Sequence, residues 1–327
     1  MTEYIIGFDL GGTRMRAARL DMGLNIVARK EILTQAHEGA DATIERMRYL
    51  LHEVMPEDVS TVAGIGISAP GPSNPRTGVV VAPPNLPGWH NVPIVDILKQ
   101  RYDLPIYLGN DANVAALAEV ARGAAVGARN MIFITVSTGI GGGIVTDGKL
   151  LLGKEGLGAE VGHMVMMVGD RVSTLEKEAA GPAIARQARA RIEAGEATII
   201  EEMVGGELEH INGSIVGTAA QSGDQVAIAL ITRAGRILGL GIASLLHIFN
   251  PEVIVIGGGV SRMGGMLLDP AREAYRSAVI DPSYYQNLRV ELAGLGEDVS
   301  LIGAGALVVT RGGVDDVVAV ADLLDVD

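Results

Sequence analysis

Apolar positions along this 327-residue chain recur with two periods, one of strands and one of helices. Residues 4–21 hold two apolar runs split by a glycine turn, the pattern of a strand pair, and 27–33 predict a third strand in a meander. Ile44, Met47, Leu50, Leu51 and Val54 then fall at helical spacing within 40–54. The run 62–68 is continuous enough for a buried strand and leads into a Pro/Gly loop at 69–72. After a loop-rich stretch, 95–100 predict a short helix and 105–108 a strand, so the order to this point is βββαβαβ. A second strand pair over 131–147 opens a similar series. Polar and helical material runs from 153 to 223, followed by a long helix over 225–249 and a buried strand over 253–256. A further strand at 288–292 and a terminal helix at 301–309 complete the pattern. The acidic stretch 314–327 fits a short helix or a tail. The two halves read as divergent copies of one α/β unit.

The turns inside the two strand pairs share a composition. The first reads Asp9-Leu10-Gly11-Gly12-Thr13 and the second Ser137-Thr138-Gly139-Ile140-Gly141-Gly142-Gly143, each flanked by apolar strands and closing at an Asp. Glycine admits φ > 0 and close approach of a ligand, and successive backbone N–H groups in such a turn form an anion nest. Two of them suggest two hairpins gripping one polyphosphate. A dinucleotide-binding glycine loop would open a helix, and a Walker A loop would need Gly-Lys-Ser/Thr; neither occurs here. Each hairpin alone is equally compatible with a plain turn. Asp9 changes the first one, because a carboxylate beside an anion nest is repulsive unless a cation such as Mg²⁺ lies between them.

Composition narrows the classes. Hydrophobic residues make up 48% of the chain and charged residues 20%, enough for a substantial core, and the length allows about two domains. A formal charge of −13 opposes a nucleic-acid surface. With no cysteine there is no disulfide and no cysteine-ligated zinc. The first residues lack the basic region of a signal peptide, and the apolar stretch 237–249 is short for a bilayer and contains His247. A soluble cytoplasmic protein is expected.

Candidate chemistry lies in three further segments. In Gly109-Asn110-Asp111-Ala112-Asn113 a strand ends and a helix starts at Asp111, with Val114, Leu117, Ala118 and Ala121 at core spacing and Gly123 as a C-cap. Asp111 is therefore either a helix N-cap or a general base for a hydroxyl. A helix N-terminus stabilises the carboxylate anion, and the resulting weak base suits phosphoryl transfer, which needs orientation of the hydroxyl more than early proton removal. Glu160 and His163 are three apart in Glu160-Val161-Gly162-His163, close together in a helix or a turn, while Glu176 by itself reads as a solvated helix residue. Gly257, Gly258 and Gly259 follow a buried strand, at the carboxyl edge where α/β sheets bind ligands.

In this order the five motifs resemble the ROK family of bacterial glucokinases, other hexose and N-acetylhexosamine kinases, and related repressors, over residues 4 to about 312. The resemblance implies a two-lobed, ribonuclease H-like α/β fold of the actin and hexokinase ATPase type with a duplicated βββαβα unit. The lobes would be 1–113, completed by a C-terminal helix at about 301–312, and 114–300, with 313–327 as an acidic tail. ATP phosphates would sit between Gly11-Gly12-Thr13 and Thr138-Gly139, with Asp9 near Mg²⁺ and Gly257, Gly258 and Gly259 near the adenosine. Asp111 would be the catalytic base, and Asn110, Glu160, His163 and Glu176, with Asn85 as a further candidate, would bind sugar hydroxyls. The implied activity is ATP-dependent phosphorylation of glucose, or else of mannose, fructose, allose or an N-acetylhexosamine, by a homodimer or higher homo-oligomer. Polyphosphate as donor and a non-catalytic sugar sensor are the alternatives. A repressor of this family would need a helix-turn-helix before Asp9, which lies only nine residues into the chain. One departure stands out: family members usually bind zinc through the histidine matching His163 and three cysteines. With no cysteine and a shortened 163–176 loop, no structural zinc is expected, and His163 must be held by other means.

Overall fold

The computed structural model describes residues 3–324. The expected meander is β1 (Tyr4–Leu10), β2 (Arg14–Asp21) and β3 (Ile26–Leu33). It is followed by α1 (Ala40–Val54), whose Ile44, Met47, Leu50, Leu51 and Val54 are all buried. Next come β4 (Val62–Ala69), the two-residue strands β5 (Ser73–Asn74) and β6 (Val79–Val80), α2 (Ile94–Lys99), β7 (Ile106–Asn110) and α3 (Asp111–Arg122). The sheet order is β3-β2-β1-β4-β7. β1 is antiparallel to β2 and parallel to β4, and β4 is parallel to β7.

The second series starts with β8 (Met131–Val136), β9 (Ile140–Thr146) and β10 (Lys149–Leu150). An additional hairpin follows, β11 (Val165–Val168) and β12 (Arg171–Thr174), then α4 (Leu175–Ala179), α5 (Gly181–Glu193), α6 (Ile199–Met203), α7 (Gly213–Gln221) and α8 (Gln225–Phe249). After β13 (Val253–Gly257), α9 (Gly265–Ala278) and β14 (Arg289–Leu292) come α10 (Val299–Val309) and α11 (Val317–Leu324). The second sheet has the order β10-β9-β8-β13-β14, the same permutation as the first, so the duplication read from the pattern is a duplication of topology.

The short strands β5, β6 and β10, the β11–β12 hairpin and α9 escaped the pattern. β11–β12 lies in a stretch expected to be polar and helical. Its strand Val165-Met166-Met167-Val168 is apolar on both faces, with Val165 and Met167 exposed, so the alternation that marks a half-buried strand is missing. α9 carries Pro270 inside it, which breaks the helical signal.

The chain forms two compact units. The first runs to Phe133 and takes in Gly143–Ala159 and everything from Ala293; the second is Ile134–Gly142 with Glu160–Leu292. Within the first, α10 lies directly on the sheet, because glycines face it. A Cβ on Gly66 would fall 1.8 Å from Ala304 O, and one on Gly7 2.7 Å from Leu301 O. The acidic 314–327 stretch resolves into α11, capped by Asp316, anchored by the Arg129–Asp316 ion pair at 2.6 Å and packed on α3; its last three residues lie outside the described ones. In the second unit, α8 and α9 pack at glycines, with a Cβ on Gly239 falling 2.2 Å from Ala271 O. α8 is 25 residues long and apolar enough to cross a bilayer by length and composition, which the 237–249 run alone did not suggest; 61% of its apolar window is buried in the protein.

Candidate active site

In the first unit the parallel strands β1, β4 and β7 end together. Asp9 is level with Ser68, Ser68 with Gly109, and Ala69 with Asn110. At a strand spacing of about 4.8 Å, Asp9 and Gly109 lie two inter-strand spacings, about 10 Å, apart across β4, and the Asn110–Asp111 junction follows Gly109 on the same sheet edge. The glycine turn after β1 is pinned from the side of β3. Gly11 N–H donates to Arg14 O at 3.0 Å, Thr34 N–H to Thr13 O at 2.9 Å, and the Thr34 hydroxyl to Gly11 O at 2.6 Å. Gly12 backs onto Asn85: a Cβ there would lie 2.7 Å from both Asn85 Cβ and Asn85 O. Asn85 is thus placed at the first glycine turn.

Asp9 is held by Arg16, whose Nε and Nη2 donate to Oδ2 at 3.0 and 2.7 Å while Nη1 donates to Glu297 O at 2.7 Å. Both bonds fall on Oδ2. At the β7–α3 junction the N-cap is Asn110, not Asp111: Asn110 Oδ1 accepts Asn113 N–H at 2.7 Å. Asp111 is the first helical residue, exposed, with its Oδ1 accepting Ala112 N–H at 2.8 Å. The cap role open to Asp111 thus falls to its neighbour. The group that Asn110 can offer a ligand is its Nδ2 amide.

The second unit gathers Glu160, His163, Glu176 and the Thr138-Gly139 turn. Glu160 precedes a single 3-10 turn, Val161–His163, so the pair is joined by a turn rather than a helix. A Cβ on Gly162 would lie 1.9 Å from Ile140 O, so this turn sits on the start of β9. Glu176 is on α4 and half-buried, not simply a solvated helix residue as its local sequence indicates: its Oε2 accepts Ile140 N–H at 2.9 Å and crowds Gly139, whose Cβ would be 2.6 Å away. The β11–β12 hairpin pairs Val165 with Thr174, and Leu175 N–H donates to Met164 O at 3.1 Å. His163 and Glu176 flank the two open ends of that hairpin. Gly258, at φ 88, lies against the end of β8, where a Cβ would meet Val136 O at 2.4 Å; Gly181 N–H donates to Ser137 O at 2.8 Å. The glycines after β13 and the turn after β8 therefore adjoin within this unit.

Both units place glycine backbone where no side chain fits, at the ends of first strands, with a carboxylate close by. That donor set suits a polyphosphate with a divalent cation, which needs backbone N–H groups for the oxygens and a hard oxygen ligand for the metal. Four residues were missed by sequence reasoning. Arg16 and Thr34 looked like ordinary strand residues. Ser68 is fully buried between Asp9 and Gly109 with its hydroxyl lacking a partner among the described residues; its place before Ala69-Pro70-Gly71 was the available signal. Glu178 looked like part of a charged run.

The duplicated sheet order with a glycine turn after each first strand defines the ribonuclease H-like class of actin and hexokinase-type ATPases, and solved structures of ROK sugar kinases share the fold. The ROK family model matches residues 5–311, and the chain belongs to that family. It is 34% identical over 313 residues to a glucokinase from Thermotoga maritima, covering 94% of this chain and 98% of that protein. It is 30% identical to an N-acetylmannosamine kinase from Citrobacter koseri, covering 92% and 97%. A crystal structure of a ROK family glucokinase from Streptomyces griseus in complex with glucose and AMPPNP superposes with a TM-score of 0.74 at 32% identity, covering 93% of this chain and 98% of the other.

Proposed function

We propose that this protein is an ATP-dependent hexokinase that phosphorylates the 6-hydroxyl of glucose, with Asp111 as general base. The observation that supports the reading is the shared edge of β1, β4 and β7: Asp9 is two inter-strand spacings, about 10 Å, from Gly109, and Asp111 follows two residues later on the same edge. That spacing leaves room for a sugar hydroxyl and a terminal phosphate between them. Similarity to glucokinases along nearly the full length of both chains supports a hexose kinase as the general class.

In this reading Asp111 orients the hydroxyl and accepts its proton, its carboxylate aimed by the Ala112 N–H. The Asn110 amide, Glu160, His163 and Glu176 bind the other hydroxyls, each of which both donates and accepts. The turns at Gly11-Gly12-Thr13 and Thr138-Gly139 bind phosphate oxygens, and Gly257, Gly258 and Gly259 give the nucleoside end close backbone approach. Mg²⁺, when bound with ATP near Asp9, neutralises charge on the transferring phosphoryl group. A cytoplasmic location and a homodimer belong to the same reading. The decisive experiment is Asp111→Asn. Sugar binding is retained and kcat falls by about 10²–10⁴. Near-normal turnover of that variant would remove Asp111 from the chemistry. A sugar panel with ATP consumption as readout, including N-acetylmannosamine, identifies the acceptor.

A further inference from the structure

Glu178 is 0% exposed and two residues from Glu176. Its Oε1 accepts the Ser173 hydroxyl at 2.6 Å and pairs with Arg171 Nη2 at 2.6 Å; its Oε2 accepts Arg233 Nη2 at 2.6 Å. Arg233 also donates to Glu178 O at 3.3 Å and to Gln187 Oε1 at 3.1 Å, and Gln187 Nε2 donates to Glu178 O at 3.3 Å. One buried carboxylate therefore joins β12 (Arg171 and Ser173), α4 and the long helix α8 (Arg233), while Gln187 of α5 bonds the Glu178 backbone carbonyl and Arg233. Burial pushes the carboxyl up, and the bonds from Ser173, Arg233 and Arg171 outweigh it, so Glu178 lies below the usual carboxylate range and stays ionised.

This network stands immediately behind the hairpin whose open ends carry His163 and Glu176. The outer face of the hairpin is uncovered: Val165, Met167 and Val172 are 73%, 66% and 68% exposed. Two strands of four residues are marginal on their own. The buried ion cluster ties β12 to α8 across the chain, in addition to the direct continuation of β12 into α4, and through the β11–β12 register it bears on Met164 and His163.

We propose that Glu178 is a positioning residue for the sugar end of this unit: paired with Arg171 and Arg233, it holds the β11–β12 hairpin so that Glu176 and His163 keep their places against the start of β9. This rests on the reading of Glu160, His163 and Glu176 as hexose ligands. The network takes the part of a fixed cross-link in a segment that has no cysteine.

The test uses the full-length protein and direct calorimetric titration of glucose and, separately, of Mg-AMPPNP, together with kcat and KM. Glu178→Gln keeps the side-chain shape and removes the charge. Its dissociation constant for glucose rises by about tenfold or more, as displacement of a binding group by a fraction of an ångström entails, while nucleotide affinity changes by less than about twofold. Arg171→Ala, which removes the more exposed partner and leaves Arg233, weakens glucose about threefold and decides the matter if Glu178→Gln does not fold. Unchanged glucose affinity in folded Glu178→Gln, or in Arg171→Ala alone if the first does not fold, overturns the proposal. Equal weakening of glucose and nucleotide also overturns it, since that marks a general structural role. If the wild-type protein binds none of the sugars tested, it is the hexose-kinase reading that fails, and this outcome is distinct from unchanged affinity in the variants.

Discussion

Gly162→Ala places one methyl group where the protein has no room for it. The added carbon would fall 1.9 Å from Ile140 O and 2.9 Å from the carbonyl carbon. A carbon–oxygen contact is ordinarily about 3.3 Å, so a separation of about 1.4 Å must be recovered by movement. The obstacle is backbone at the start of a sheet strand, and Ile140 is itself tied to Glu176 through its N–H. The 161–163 turn is therefore the part that shifts, and it takes Glu160 and His163 with it. Overpacking of this kind costs about 1–3 kcal/mol of stability. Displacing binding groups by about 1 Å costs on the order of 10²-fold in turnover of bound substrate. The expected result is a folded protein with a lowered Tm, kcat/KM for glucose down about 100-fold, and Mg-AMPPNP affinity within about twofold of the parent. A coupled assay of ADP release across glucose concentrations, with thermal denaturation and nucleotide titration on the same preparation, reads all three. Wild-type kcat/KM in a protein with wild-type Tm would refute the packing of this turn against β9 and its part in sugar binding together.

Three further outcomes follow from the same geometry. Arg16→Met strips Asp9 of its two hydrogen bonds, and the KM for Mg-ATP rises several-fold in steady-state assays while glucose affinity, measured by calorimetry, is unchanged. Treatment with 1,10-phenanthroline in excess Mg²⁺ leaves kcat and Tm unaltered, because the chain has no cysteine with which to complete a zinc site beside His163. The stabilising contribution of ionised Glu178, lowered in the folded protein, is fully present above the unfolded carboxylate value of about 4.3 and lost as pH falls through the folded value. Urea midpoints of wild type and Glu178→Gln should therefore differ by a constant amount from pH 6 to 8, begin to approach each other below about pH 4.3, and converge only below the lowered folded value.

Where a function depends on local backbone, the sequence already displays it. The glycine turn at 11–13, the second turn, which the structure confines to 137–139 with Gly141–Gly143 in β9, Asp9 beside the first, and the helical spacing of Ile44 to Val54 are all short-range constraints that the sequence displays. The Asn110–Asp111 junction was legible as a helix start but not in its detail. Asn-Asp-Ala-Asn offers two capping side chains in succession, and only the register of β7 against β4 decides that Asn110 caps.

The proposed sugar end is less legible for a different reason. Glu176, Lys177 and Glu178 form a charged run, the usual mark of a solvated helix, yet Glu178 is fully buried and Glu176 rests on the backbone of Ile140, 36 residues earlier in the chain. What makes burial of that carboxylate tolerable is its bonds from Ser173, Arg171 and Arg233, the last 55 residues away on α8. An unpaired buried carboxylate would be strongly destabilising, and removing one partner of such a pair typically costs about 3–5 kcal/mol. Because Arg171 is the more exposed partner, at 59%, and Arg233 the less, at 32%, the two arginines are not equivalent. Loss of Arg233 uncovers the charge on the side facing the helices, and the whole brace fails. Loss of Arg171 leaves the carboxylate ionised and bonded to Arg233 and Ser173, so the hairpin loosens while the unit stays folded. Arg233→Met should therefore lower Tm well beyond Arg171→Ala, by a margin matching a broken buried pair, and equal Tm values for the two would mean that α8 is not the anchor of the hairpin.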